Sequence, residues 1–331
     1  MPPREGGGIQ LGALSMLTRL PLALLGAILG CGLSAIPADA QRARVFVASY
    51  GNDSNPCTFG SPCKTFQAAH DAVAAGGEIT AIDSAGFGPV NINKAVTITS
   101  PPGIEASIAV PPGGTAIAVA AGANDIITLR GLTLNGAGSG GTGVFFTTGA
   151  KLAVIDCVIT NFTQDGILVH PSAATDTLVL VSNTIVTETP GGIVLSTFGP
   201  GGVQATFGGL TLDNNTDSIE LITQGGPINL MVANSQIGHN TQIGIYSSGG
   251  SAGPGNHLYL KNVTFSGNMP HEIYLDTNTL LWLSQVTQQV SDNSNTGAGV
   301  FCPNPGSGVF TDLTNHINSF GQCTKGTNPP N

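Results

Sequence analysis

Three carboxylates, two tyrosines and a histidine lie close together in the second half of the chain: Asp217, Glu220, Tyr246, His271, Tyr274 and Asp276. A pair of carboxylates can act as acid and base on a glycosidic bond, and tyrosines beside them suit the faces of sugar rings. Asp217, Glu220 and Asp276 are therefore the candidate catalytic residues. Tyr246, Tyr274 and His271 are the candidate substrate contacts. Each also has an ordinary explanation: Asp in "TQDG" and "NTDS" suits a turn, and outward tyrosines are common in strands.

The composition narrows the partners. Charged residues make up 9% of 331 residues, against about 25% in an average soluble domain. The formal net charge is −9 with only ten Lys and Arg. With no basic cluster to neutralise phosphates, nucleic acid is not an expected partner.

The elements that must position these residues come from a repeat. A small residue, often Gly, precedes a β-branched residue opening a short alternating strand, as in "GTGVFF", "QDGILVH", "PGGIVLS" and "QIGIYSS". The leading apolar residues are Val90, Ile117, Val144, Ile167, Ile193, Ile219, Ile245, Ile273 and Val300, at spacings of 23 to 28 residues. A second alternating run, such as "DIITLRGLTLNG" or "HLYLKNVTFSGN", falls between most of them. Tight Gly/Asn turns leave no room for a crossover helix, so each coil itself must connect one parallel strand to the next. The expected fold is all-β, a right-handed parallel β-helix of about nine coils with a rod length of about 40 Å. A bend residue is expected after the second run, at Asp156, Ser182, Gly209, Asn234 and Asn262, in a structural role. The residue after each leading position points outward, giving Phe145, Leu168, Val194, Glu220, Tyr246, Tyr274 and Phe301, with His170, Ser196 and Asp276 two residues further on. Asp165, Asp217 and His271 stand just ahead of their strands.

An open first coil needs a cover. "KTFQAAHDAVAAGG" supplies a helix over 65–75, with Thr65 as N-cap, Gly76 as stop and Phe66, Ala69 and Val73 as its apolar face. His70 and Asp71 on it read as the edge of a lid rather than a catalytic pair. The first forty residues read as a signal peptide starting at Met16, with Arg19, an apolar run and cleavage after Ala40 in "ADA". Cys31 is a weak lipoprotein motif, and no other stretch is long and apolar enough to span a membrane. In an exported protein Cys57 with Cys63 and Cys302 with Cys323 read as two local disulfides, and Cys157 as a lone buried thiol. The β-helix is expected over 41–301, closed by a disulfide-bonded segment and tail at 302–331.

The order helix "KTFQAAHDAVAAGG", strand "EITAID", turn "SAGFG", strand "PVNIN", then "KAVTITS", followed by the Gly-Ile repeats, resembles the pectate-lyase-like superfamily of secreted right-handed β-helix proteins. The resemblance covers residues 45 to about 300. It implies the fold and an outer sheet face as the place for chemistry, but no single activity, since members include lyases, hydrolases, esterases, epimerases, tailspikes and adhesins. "NNTDSI" is similar to the Asn-Thr-Asp of polygalacturonases, with Asp217 as the acid, and His239 in "IGHN" to their Gly-His-Gly. The paired aspartates between them and the later Arg-Ile-Lys are missing. A pectate lyase would need calcium-binding carboxylates and an arginine base, yet Arg130 and Lys261 fall on other strands. No cofactor is expected, and no ligand set supports calcium. The expectation is a secreted, periplasmic or cell-surface protein that binds, and in one reading cleaves, polysaccharide or a cell-surface glycan; the alternative is a non-catalytic adhesion or scaffold module.

Overall fold

The computed structural model describes residues 42–250, 255–289, 299–304, 307–311, 315–317 and 323–326. The leader, Met16, Cys31 and the cleavage motif lie outside them.

Alternation of β-branched and small residues gives strands whose inward side chains stack on the same position of the next coil. The result is a parallel β-helix with two sheets of nine and 19 strands. The nine-stranded sheet takes one strand from each coil, from Val90–Ile92 to Val300–Phe301. Its register is the repeat itself. Val90, Ile117, Val144, Ile167, Ile193, Ile219, Ile245, Ile273 and Val300 pair in one unbroken column, every one of them buried. A fully buried Ile or Val contributes about 1.5–3 kcal/mol each, so this column alone fixes the register.

The 19-stranded sheet receives two short strands from most coils. Between them the chain bends through a left-handed residue, Gly131, Asp156, Asn183, Gly209 or Gln285, and at Asn234 and Asn262 the same bend falls inside one strand, Ile228–Gly238 or Asn256–Ser266; all seven have positive φ. At one coil the bend falls on Asn183 and not on Ser182, which ends the preceding strand. Asn tolerates this backbone region where Ser does not readily follow. Side chains on the bend join coil to coil, Asn183 Nδ2 donating to Asp156 Oδ1 (3.3 Å) and Asn262 Nδ2 to Asn234 Oδ1 (2.8 Å).

The helix spans Phe66–Ala72. Following the first strand, Arg42–Val47, it takes the place that a strand of the nine-stranded sheet holds in later coils. Thr65 Oγ1 accepts from the Ala68 N–H at 3.2 Å, a true N-cap. Phe66 packs on Phe87, and Gln67 Oε1 accepts the Asn91 N–H (2.8 Å), satisfying a donor of the first strand beneath. The expected run to residue 75 is shortened. Val73 turns extended (φ −79°, ψ 145°) and joins the strand Val73–Ala81, which pairs with Arg42–Val47. Gly76, with φ +76°, lies inside that strand instead of ending the helix. His70 is buried beside Asp71 (3.4 Å), and burial lowers its pKa.

Disulfides join Cys57 to Cys63 and Cys302 to Cys323, with Cα separations of 4.6 and 5.0 Å. Cys157 is free and buried, and burial pushes its thiol up to about 11. Such a thiol stays protonated and unreactive at neutral pH. No helix among the described residues is long and apolar enough to cross a membrane.

Candidate functional site on the nine-stranded sheet

One residue beyond the buried column, the outward column runs Phe145, Leu168, Val194, Glu220, Tyr246, Tyr274 and Phe301 in direct register. Glu220, Tyr246 and Tyr274 therefore sit on three successive coils, about 4.8 Å apart along the axis. Three residues before these outward positions on the same strands, Asp165, Gly191 and Asp217 form a second column. Gly191 leaves room there: a Cβ on it would meet Asp165 Oδ1 at 2.3 Å and Val194 Cγ2 at 2.8 Å. Without that side chain, the Asp165 carboxylate leans toward the coil that carries Asp217 and Glu220.

The electrostatics follow from this packing. Glu220 is pushed up to about 7, first by burial and then by the charges of Asp217 and Asp165. Burial lifts Asp165 to about 6. Asp217 is also raised by burial, opposed by the Ile243 N–H that donates to its Oδ1 at 2.9 Å. A carboxyl near 7 holds a proton at neutral pH and can give it up, which is what a general acid requires. Tyr246 is raised by burial and by Asp276.

The structure groups the candidates unevenly. Asp217 and Glu220 share one strand, Asp217–Thr223, with Asp165 close by. Asp276 stands apart, just past the strand His271–Leu275, accepting from Ser248 Oγ (3.3 Å) and Asn304 Nδ2 (2.7 Å). Tyr246 and Tyr274 tilt toward each other at 5.7 Å and 30°. His271 stacks on Phe301 at 4.5 Å and 2°, so one ring face is already taken. Val194 and Ser196 are buried at 6% and 5%, not exposed as outward positions should be; in register Val194 lies between Leu168 and Glu220. His170 turns onto Phe198 at 4.4 Å. Arg130 pairs with Asp156 (3.2 Å) on the 19-stranded sheet, which also holds Lys261. Among the described residues, no three His, Cys, Asp or Glu side chains are placed to hold a metal ion.

Behind this face lies a polar element that the repeat pattern alone does not reveal. Asn215 Oδ1 accepts the Thr189 N–H (3.1 Å), Asn240 Oδ1 the Asn215 N–H (2.9 Å) and Asn268 Oδ1 the Asn240 N–H (3.2 Å). All three asparagines are buried. The ladder ends where Asn268 Nδ2 donates to Glu272 Oε2. Glu272 is 2% exposed and occupies a column of Gly or Ser on the preceding coils. At Gly192 a Cβ would meet the Ser218 carbonyl oxygen at 2.4 Å, which shows how tight that column is. Burial raises Glu272 to about 7.

Residues 112–284 match the family described as "Right handed beta helix region". The chain belongs to that family. No curated protein matches the chain. Among solved structures it is similar to pectate lyase Pel9A, with 14% identity, a TM-score of 0.53 and coverage of 85% of this chain and 78% of that one. It also matches the A-module of the Azotobacter vinelandii mannuronan C-5 epimerase AlgE6 (14%, TM-score 0.42, 80% and 94%). A third match is bacteriophage CBA120 tailspike protein 2 (12%, TM-score 0.44), of which the chain covers 46%. At these identities the likeness is one of fold: a right-handed β-helix of the pectate-lyase type.

Proposed function

We propose that this right-handed β-helix protein is exported and binds polysaccharide along the outer face of its nine-stranded sheet, centred on Glu220, Tyr246 and Tyr274. The observation that carries the reading is one register column in which a carboxyl near pKa 7 is followed on the next two coils by half-buried tyrosines. An extended, shallow face with a repeat of about 4.8 Å suits a polymer better than a compact ligand. The similarity in fold to a pectate lyase supports a carbohydrate partner, and two disulfides fit an oxidising compartment.

Cleavage is the stronger form of the same reading, favoured by the raised pKa of Glu220. Glu220 would protonate the leaving oxygen and Asp217 would serve as the second carboxylate, with Asp276 contacting sugar further along. The scaffold reading is favoured by the tilt of Tyr246 and Tyr274 onto each other, which covers part of each ring. A glycan array, followed by reducing-end and unsaturated-uronate assays on wild type and Glu220→Gln, separates the three. Binding with no product leaves a lectin-like module. Product that disappears in Glu220→Gln establishes the enzyme, and no binding at all removes the carbohydrate reading.

A further inference from the structure

Resting on the reading that this face binds polysaccharide, we infer that it selects glycans without acidic groups over polyuronates. None of the nine strands of the sheet contains a Lys or Arg, whereas three partly exposed carboxyls, Asp165, Asp217 and Glu220, lie on its strands within three coils. Asp276 adds a fourth acid at the far end of the strand His271–Leu275.

The described cations lie elsewhere and several are already engaged. Lys94 Nζ donates to the Val73 carbonyl oxygen at 2.7 Å, beside the helix. Arg44 pairs with Glu78 and Arg130 with Asp156, each at 3.2 Å. Lys151 and Lys261 sit on strands of the 19-stranded sheet. A uronate carboxylate laid along Asp165 and Asp217 would lose water and gain no counter-charge, with like charge alongside it. A neutral sugar brings only hydroxyls, which can donate to those carboxylates and to the Tyr246 and Tyr274 oxygens. Like-charge exclusion of this kind sets specificity by rejecting the wrong ligand, independently of how well the right one fits.

Affinity electrophoresis of the full chain tests it, in gels carrying a neutral β-glucan or galactan beside gels carrying polygalacturonate or alginate at low salt. Retardation by a neutral polymer at least about tenfold stronger than by either polyuronate is expected. The double variant Asp217→Asn/Glu220→Gln should narrow that ratio. In wild type the ratio should also shrink as salt rises from about 20 to about 200 mM, a readout that does not depend on the variant folding. Equal or stronger retardation by a polyuronate overturns the inference and leaves the binding reading intact. Failure of every polymer to retard the chain overturns the binding reading itself.

Discussion

The two sheets of this β-helix are built by the same stacking rule and carry opposite chemistry on their outer faces. On the 19-stranded sheet, Tyr259, Trp282 and Phe310 stack at 4.4 and 5.3 Å with interplanar angles of 7° and 11°. Both faces of Trp282 are covered by its neighbours, as is one face each of Tyr259 and Phe310. On the nine-stranded sheet, Tyr246, Tyr274 and Phe301 lie at 5.7 and 5.4 Å but are tilted by 30° and 46°, and they continue a column of half-buried acid. Stacked aromatic rings satisfy each other and stabilise the rod. Tilted rings beside raised carboxyls leave part of their surface unused by the fold. A concavity of about 470 Å³ does lie on the 19-stranded sheet, bordered by Leu178, Met231 and Tyr259. It contains no carboxylate, so size alone does not mark the chemistry.

The contrast can be tested by substitutions on matched positions. The largest effect is expected where the faces should not differ. Ile219→Ala beneath Glu220 and Leu258→Ala beneath the aromatic stack, both fully buried, should each cost about 2–5 kcal/mol in urea unfolding. Unequal losses would show that one sheet carries the fold. Outside the core the two faces should separate. Trp282→Ala is expected to lose about 2 kcal/mol of stability, given two stacked neighbours, and to leave glycan retention unchanged. Tyr274→Ala should lose about 1 kcal/mol or less and weaken retention about tenfold.

A smaller effect concerns pH. Glu220 and Glu272 sit near 7 in the folded chain, above the ordinary glutamate value of 4.5, and Asp165 near 6. For an acid with a raised folded pKa, the stabilisation is fully present below the unfolded value and lost as pH climbs through the folded one. The melting temperature should therefore fall between about pH 5 and pH 8. Glu272→Gln, inside the core, should flatten that slope more than Glu220→Gln on the face. A melting temperature that rises over this range contradicts the assigned burial. The smallest effect is expected for Arg130→Gln, which removes an exposed pair with Asp156. It should change stability by less than about 1 kcal/mol and retention not at all.

The fold was legible because its signal is periodic. Ile193 and Ile219 announce their register through spacing alone, and a one-residue slip would have turned the whole column outward. The site was legible only in part. Glu220 and Tyr246 follow from strand alternation, but Asp165 looks like any turn aspartate. Its role depends on Gly191 and on the registration of three coils. The asparagines show the same limit. Asn262 at the solvent bend and Asn268 in the core are six residues apart and both follow a strand-like run. Only the path of the coil turns one outward and buries the other. Glu272 carries no local mark of burial either, since "HEIYLD" reads as an ordinary half-exposed strand. The helix was recognisable, but its last turn was not: pairing with Arg42–Val47 draws Val73 into a strand against its helical pattern.

In the proposed function, glycan lies on the nine-stranded sheet and not on the aromatic stack. Hydroxyl-radical footprinting, with and without a saturating neutral β-glucan or galactan that retards the chain, reads those side chains directly. Protection of Tyr246 and Tyr274 with Tyr259 and Trp282 unchanged is the predicted result. Protection of Tyr259 and Trp282 with Tyr246 and Tyr274 unchanged would contradict it.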